Sequence, residues 1–255
     1  ELKNKEKYST FLDLYDSFGV YVADDELSKS YAKAYGVDTL YQYQHGGLPN
    51  IACEWPTSSY LNFTALTALS YSIFAPSNTA INSFFDSFWK IGGYSSMQEV
   101  DALALNYFLY QFIYGGSMLF PEELGDDELK NLAGSSLNIN PAALNEKTMC
   151  VNGALYGMDE IKEPSTFASV IGPLFQYKSA RSFLYALLGS SLFSSYVSDL
   201  SKYIVLVPTA EQFEASGIRT VYSTQGLEAE GDDGWAEISN TAKQNIVYLH
   251  SASIS

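Results

Sequence analysis

Metal, nucleophilic or acid–base chemistry in this 255-residue chain would have to be built from two histidines, His45 and His250, two cysteines, Cys53 and Cys150, and 29 acidic residues. A zinc site needs three or four converging His, Cys or carboxylate ligands. His45 stands beside Gly46-Gly47 with no partner at ligand spacing, which predicts a solvent-exposed loop histidine, and His250 reads as a partly buried helix residue. A serine hydrolase of the α/β type would show Gly-x-Ser-x-Gly at a strand–helix elbow. Gly116-Ser117-Met118 and Gly189-Ser190-Ser191 do not fit it, and P-loop, dinucleotide and Cys-x-x-Cys patterns do not occur. Glu122, Glu123, Asp126, Asp127 and Glu128 form one acidic cluster, and Glu228, Glu230, Asp232 and Asp233 form another. Calcium loops place oxygen ligands at fixed spacings that neither cluster has. Glycosidase carboxylates would need two of these groups brought into one cleft. Both clusters read as solvated turns and a negatively charged helix start. The expectation is a chain with no catalytic residue, no metal and no cofactor.

Aromatic residues are better candidates, for contact rather than catalysis. The 20 Tyr and 15 Phe suit pleated, half-buried surfaces. Trp89 shares a helical pattern with Phe84, Phe85 and Phe88 and reads as core, while Trp55, next to Pro56, reads as an exposed contact. Trp55 falls in a Tyr-, Gly- and Pro-punctuated stretch, residues 36–61, that also holds Tyr41 and Tyr43 and reads as irregular structure.

The charge balance, 14 basic against 29 acidic residues for a net of −15, excludes nucleic acid, whose phosphates need Lys and Arg to displace counterions. It also disfavours a basic patch on anionic lipid, and leaves a cationic partner open. The longest apolar runs, residues 168–175 and 203–207, fall short of the ~20 residues that span a bilayer. A polar opening through Tyr8, beginning at Glu1, would suit a tether, so a removed leader and a lipid anchor upstream are expected. Cys53 and Cys150 could bridge in an oxidising compartment; as free thiols they would be buried small hydrophobes, which is the expectation adopted.

Several elements position these residues. Residues 10–22 carry Phe11, Leu14, Tyr15 and Phe18 at helical spacing, with Ser9 as N-cap. Residues 24–35 read as a polar helix, and residues 100–114 as a buried helix. Residues 71–75 read as a strand ended by Pro76, after which Ser77 or Asn78 caps a helix through Ile81, Phe84 and Phe88. Strands are expected at 137–139 and 148–151, and a strand pair hinged at Asn152-Gly153. The pattern then recurs. Phe183-Leu184 is set like Phe11-Leu12, and residues 203–209 repeat the strand–Pro–hydroxyl order of 71–77. Pro76 and Pro208 lie 132 positions apart and Phe11 and Phe183 lie 172 apart, so the first copy carries an insertion of 40 residues.

Phe74-Ala75-Pro76-Ser77-Asn78-Thr79-Ala80-Ile81 resembles the first signature of the fasciclin (FAS1) family, a strand ending in Phe-Ala-Pro-Thr/Ser-Asn-x-Ala-Phe. Val151-Asn152-Gly153, followed by Asp159, is similar to the second, a Val-Asn-Gly strand turning into an Ile-x-x-Asp strand. The resemblance implies an α+β fold, a wedge of β-strands flanked by helices. One complete copy would cover residues 1–176, with an insertion at about 25–65, and a partial second copy, carrying Pro208-Thr209, residues 177–255. An open half-domain would expose strand edges, so truncation of the second copy is expected. Where the family often carries Tyr-His, this chain has Tyr110-Gln111 and Leu249-His250, which adds Tyr110 to the candidate contacts. The resemblance implies a non-enzymatic, extracytoplasmic protein, surface-anchored, outer-membrane-anchored or secreted. It would bind a protein or matrix partner, or alternatively a glycan for nutrient capture, through Tyr41, Tyr43, Trp55 and Tyr110.

Overall fold

The computed structural model describes residues 2–49, 51, 70–126, 128–137, 139–150, 152–197 and 202–254. Helix and sheet are mixed, an α+β arrangement. The chain divides into two compact units, Glu1–Asn82 with Asn106–Ile161, and Ser83–Leu105 with Lys162–Ser255.

The first unit opens on helix α1 (Ser9–Asp16) and a ribbon of β1 (Gly19–Ala23) and β2 (Tyr41–His45). Strand β3 (Tyr71–Pro76) leads into helix α2 (Asn78–Phe84). Helix α3 (Ala102–Tyr110), strand β4 (Ile113–Gly115) and the hairpin β5 (Leu144–Cys150) and β6 (Gly153–Met158) follow. The four-stranded sheet runs β4-β3-β6-β5, with β3 parallel to β6 and the other pairs antiparallel. Residues 72–76 of β3 are all buried, as a central strand covered on both faces requires. The Phe74 ring stacks on Tyr156 of β6 at 5.2 Å, and the Tyr156 hydroxyl donates to Leu119 O at 2.6 Å.

The corner after β3 divides the expected capping work between two residues. Ser77 Oγ accepts from Ala80 N at 3.4 Å, at the start of α2. Asn78 instead serves α1: its Oδ1 accepts from Thr10 N at 2.9 Å and its Nδ2 donates to Glu6 O at 2.9 Å. Ser9 is therefore not the cap of α1 but its first residue, and the free N–H of Thr10 is satisfied from across the unit.

The second unit holds α4 (Arg181–Gly189), β7 (Lys202–Val205), α5 (Ala210–Ala215), β8 (Ile218–Val221), β9 (Gly226–Gly231), β10 (Gly234–Glu237), α6 (Asn240–Leu249) and β11 (Ser251–Ile254). Strands β8, β9 and β10 form a meander, and β7 pairs antiparallel with β11. Phe84, Phe88, Phe167 and Phe175 surround Trp89, whose indole N–H donates to Phe175 O at 3.1 Å.

Several expectations are corrected. The helical period of 10–22 stops at Asp16, and the β-branched alternation Val20-Tyr21-Val22 forms β1. The irregular reading of 36–61 fails at Tyr41–His45, which is a strand. The helix expected to Tyr114 ends at Tyr110, because Ile113 joins the edge of β3. Residues 137 and 139 lie in no strand; the strand expected at 148–151 is the end of the edge strand β5, which starts earlier, at Leu144, in a polar stretch whose alternate residues are exposed. The second acidic cluster is partly sheet rather than turn, with Glu228 in β9 paired to Arg219. Cys150 is half-buried rather than buried, and Cys53 lies outside the described residues.

Two buried tyrosines give the second unit a pH signature. Tyr185 donates to the Asp101 carboxylate, and Tyr94 is 2% exposed. Burial, opposed by Arg181 and reinforced by Asp101, pushes the Tyr94 hydroxyl up to about 12; burial and the Asp101 carboxylate raise Tyr185 as well. A raised phenol pKa means the fold favours the neutral form. Its stabilisation is full below the unfolded value near 10 and is lost as pH rises through the folded one. Unfolding free energy should fall by ~2 kcal/mol more in the native protein than in Tyr94→Phe between about pH 10 and 12. Denaturant titrations at the two pH values check this; equal losses would contradict it.

Candidate functional site

Strand β1 lies antiparallel to β2 with Tyr21 opposite Tyr43 and Ala23 opposite Tyr41. Side chains alternate between faces along a strand. Tyr21, Tyr41 and Tyr43 therefore share one face with Gly19 and His45, and Val20, Val22, Gln42 and Gln44 share the other. The turn back to β2 is held locally. Asp24 Oδ1 accepts from Leu27 N at 2.8 Å to cap a broken helix spanning residues 25–35, and Asp24 N donates to Leu40 O at 2.9 Å.

The shared face is an aromatic ladder. Tyr21 meets Tyr43 at a centroid distance of 5.0 Å, Tyr43 meets His45 at 5.1 Å, and His45 meets Tyr15 of α1 at 4.1 Å. The outer end is in solvent, with Tyr21 74%, Tyr41 59% and Tyr43 40% exposed; the inner end, Tyr15 and His45, is buried. Gly19 is needed under the ladder, because a Cβ there would come within 1.8 Å of the Tyr43 hydroxyl oxygen. His45 Nε2 lies 3.3 Å from Asp16 Oδ1, and its Nδ1 has no hydrogen-bond partner among the described residues. This overturns the expected exposed loop histidine: His45 ends β2 where α1 covers it.

Tyr110 donates its hydroxyl to Gly47 O, two residues beyond β2. It thus anchors the exit of the ribbon. Trp55 lies outside the described residues. Tyr31 and Tyr35, 52% and 73% exposed, stand on the broken helix between β1 and β2. Sequence reading missed them and Tyr21, although Val-Tyr-Val alternation at 20–22 was a usable signal. Residues 9–49 carry six acidic residues against Lys29 and Lys33, so the aromatic face sits in a negative field. Such a face can stack on planar groups, attract cations to its rings and donate phenolic hydrogen bonds.

The motif residues lie on β3, at the start of β6 and at the start of α5. Phe74, Ala75 and Pro76 fill β3, Asn152 O accepts from Tyr71 N at 3.1 Å, and Gly153 begins β6. Val151 lies outside the described residues. Pro208 precedes Thr209, which caps α5 in a reciprocal box with Gln212. Lys7, Ser77, Asn78, Thr79 and Asp159 line an open polar hollow of about 400 Å³, with the Lys7–Asp159 pair at 2.9 Å in its wall. The Lys7 ammonium holds the Asp159 carboxyl below its usual range. No group of three metal-ligating side chains occurs among the described residues. No helix among them is long and apolar enough to cross a membrane.

No family model matches this chain, and no curated protein matches it. Among the solved structures similar to it is a FAS1 domain pair from the insect cell adhesion molecule fasciclin I, aligned over 75% of this chain and 67% of that one, at 14% identity and a TM-score of 0.27. Phe112 lies between α3 and β4, and His250 between α6 and β11.

Proposed function

We propose that this chain is a non-enzymatic interaction protein of the adhesion type, extracytoplasmic and surface-associated, that captures a protein or matrix partner through the tyrosine face of its β1–β2 ribbon. The scaffold is read as fasciclin-like, complete over 1–176 and partial over 177–255. The two sequence signatures support that reading, as does the parallel pairing of the strands that carry them. The observation that carries the function is the alignment of Tyr21, Tyr41 and Tyr43 on one exposed face of a two-stranded ribbon. Large rigid rings held in line by a backbone ladder give contact area at low entropic cost, and tyrosine is enriched where interfaces concentrate their energy.

Tyr21→Ser with Tyr41→Ser removes the two most exposed rings of the ribbon face without touching the buried end. Binding to a panel of immobilised matrix proteins and to a glycan array should show at least a tenfold loss for whichever ligand the native chain retains. Thermal stability should stay within about 3 °C. Retention of full binding by the double variant would refute the placement, and a ligand found only on the glycan array would favour the nutrient-capture alternative.

A further inference from the structure

Carboxylates stand at both ends of the ribbon face and give it a chemistry that its rings alone do not have. At the inner end Asp16 closes α1, its Oδ1 3.3 Å from His45 Nε2 and its side chain 41% exposed. The last turn of a helix adds unpaired carbonyls, the negative end of the helix dipole. Asp16 O belongs to that turn. A Cβ on Gly19 would come within 2.9 Å of it and within 1.8 Å of the Tyr43 hydroxyl oxygen, so both oxygens crowd the same glycine. At the outer end Asp24, Asp25 and Glu26 directly follow β1, and Asp38 lies shortly before β2. Asp24 N donates to Leu40 O at 2.9 Å, which ties these two stretches together. Asp25, Glu26 and Asp38 are exposed and enter no ion pair among the described residues.

The rings between these ends lack a cation of their own. Both arginines of the chain lie over aromatic rings, Arg181 at 4.1 Å from the Tyr222 centroid and Arg219 at 4.4 Å from that of Trp235. Tyr21 and Tyr41, 74% and 59% exposed, have no such partner among the described residues. A ring attracts a cation to its negative face, and nearby carboxylates deepen the attraction. The same field repels a second copy of this chain, whose net charge is −15, and repels phosphate and sulfate esters.

Resting on the ribbon reading above, we propose that the partner held on this face is a basic protein segment, extended along β1, whose arginine side chains stack on the exposed tyrosine rings and face the carboxylates at the two ends. The five residues of β1 span about 13 Å. Two arginines four residues apart on an extended segment match that span, and the residue midway between them meets the Tyr21–Tyr43 pair. Arginine suits the face better than lysine, because its planar guanidinium stacks on a ring while its edge still donates to a carboxylate.

The test titrates the full chain with an end-blocked peptide, Gly-Arg-Ser-Tyr-Ser-Arg-Gly, and with the same peptide carrying citrulline, a neutral isostere, in place of both arginines. The arginine peptide should shift the ring resonances of Tyr21, Tyr41 and Tyr43 and bind about tenfold or more tightly than the citrulline peptide, with the difference shrinking as salt rises. Asp25→Asn with Glu26→Gln and Asp38→Asn should weaken the arginine peptide about fivefold or more and leave the citrulline peptide unchanged. Glu230→Gln with Asp232→Asn and Asp233→Asn removes the same charge from the second unit and should leave both peptides unchanged. Equal weakening by the two triple variants overturns the proposal, since the peptide then answers to net charge alone. Arginine and citrulline peptides that bind alike overturn it too, as does no binding of the arginine peptide at millimolar concentration. The ribbon reading fails separately: if Tyr21→Ser with Tyr41→Ser still loses its panel ligand, the ribbon remains the contact and only the preference for a basic segment falls.

Discussion

Gly153→Ala should cost the protein ~3–4 kcal/mol, the largest loss expected from removing no side-chain contact at all. Gly153 opens β6 at a φ of +155°, and a Cβ added there would stand 1.8 Å from Tyr71 O. The obstacle is backbone, so no rotamer change relieves it. It sits where the parallel β3–β6 ladder begins, with Tyr71 directly opposite Gly153 in register. Relief requires β6 to move off β3, which breaks the Tyr71–Asn152 hydrogen bond and unstacks Tyr156 from Phe74. Gly125→Ala is the control, since nothing lies within 4 Å of its added carbon. Urea titrations of the two variants should differ by the whole effect. Equal midpoints would mean that β3 and β6 are not paired as described.

Trp89→Ala should cost ~3–5 kcal/mol. Trp89 is 0% exposed and its ring meets those of Phe84, Phe88 and Phe167 at 5.2, 5.9 and 6.2 Å. Truncation leaves a cavity among aromatic rings too large to close around it. Trp89→Phe separates packing from polarity: it keeps a ring but removes the N–H that donates to Phe175 O. Its cost should be smaller, ~1–3 kcal/mol, from the lost hydrogen bond and the reduced volume. Calorimetry of both variants checks the order. An alanine variant no less stable than the phenylalanine one would show that the cluster does not form.

The strand–proline–helix corner was legible because its causes are local. A continuous apolar run, a residue without an N–H and a hydroxyl cap act within eight positions of one another. The ribbon was not, because β1 and β2 are partners across the residues between Ala23 and Tyr41. Phe18 continues the helical period of Phe11, Leu14 and Tyr15, and only Gly19 marks the break. His45 misled for a related reason: Gly46-Gly47 predicts a loop, while the burial of the imidazole comes from Tyr15, thirty positions earlier. Of strand β5 only the end, from Thr148, was legible; its start, Leu-Asn-Glu-Lys, escaped because it is polar on its outer face. The candidate contacts Tyr41 and Tyr43 were found from composition, but that they line up with Tyr21 required the register.

Nitration of surface tyrosines, read residue by residue while the protein is bound to its matrix or glycan ligand, tests the functional reading most directly. Tyr21 and Tyr41 should lose reactivity on binding, and Tyr222 and Tyr248, exposed at 49% and 56% in the second unit, should keep theirs. Unchanged nitration of Tyr21 and Tyr41 in a saturated complex would contradict the claim that the ribbon face is where this protein holds its partner.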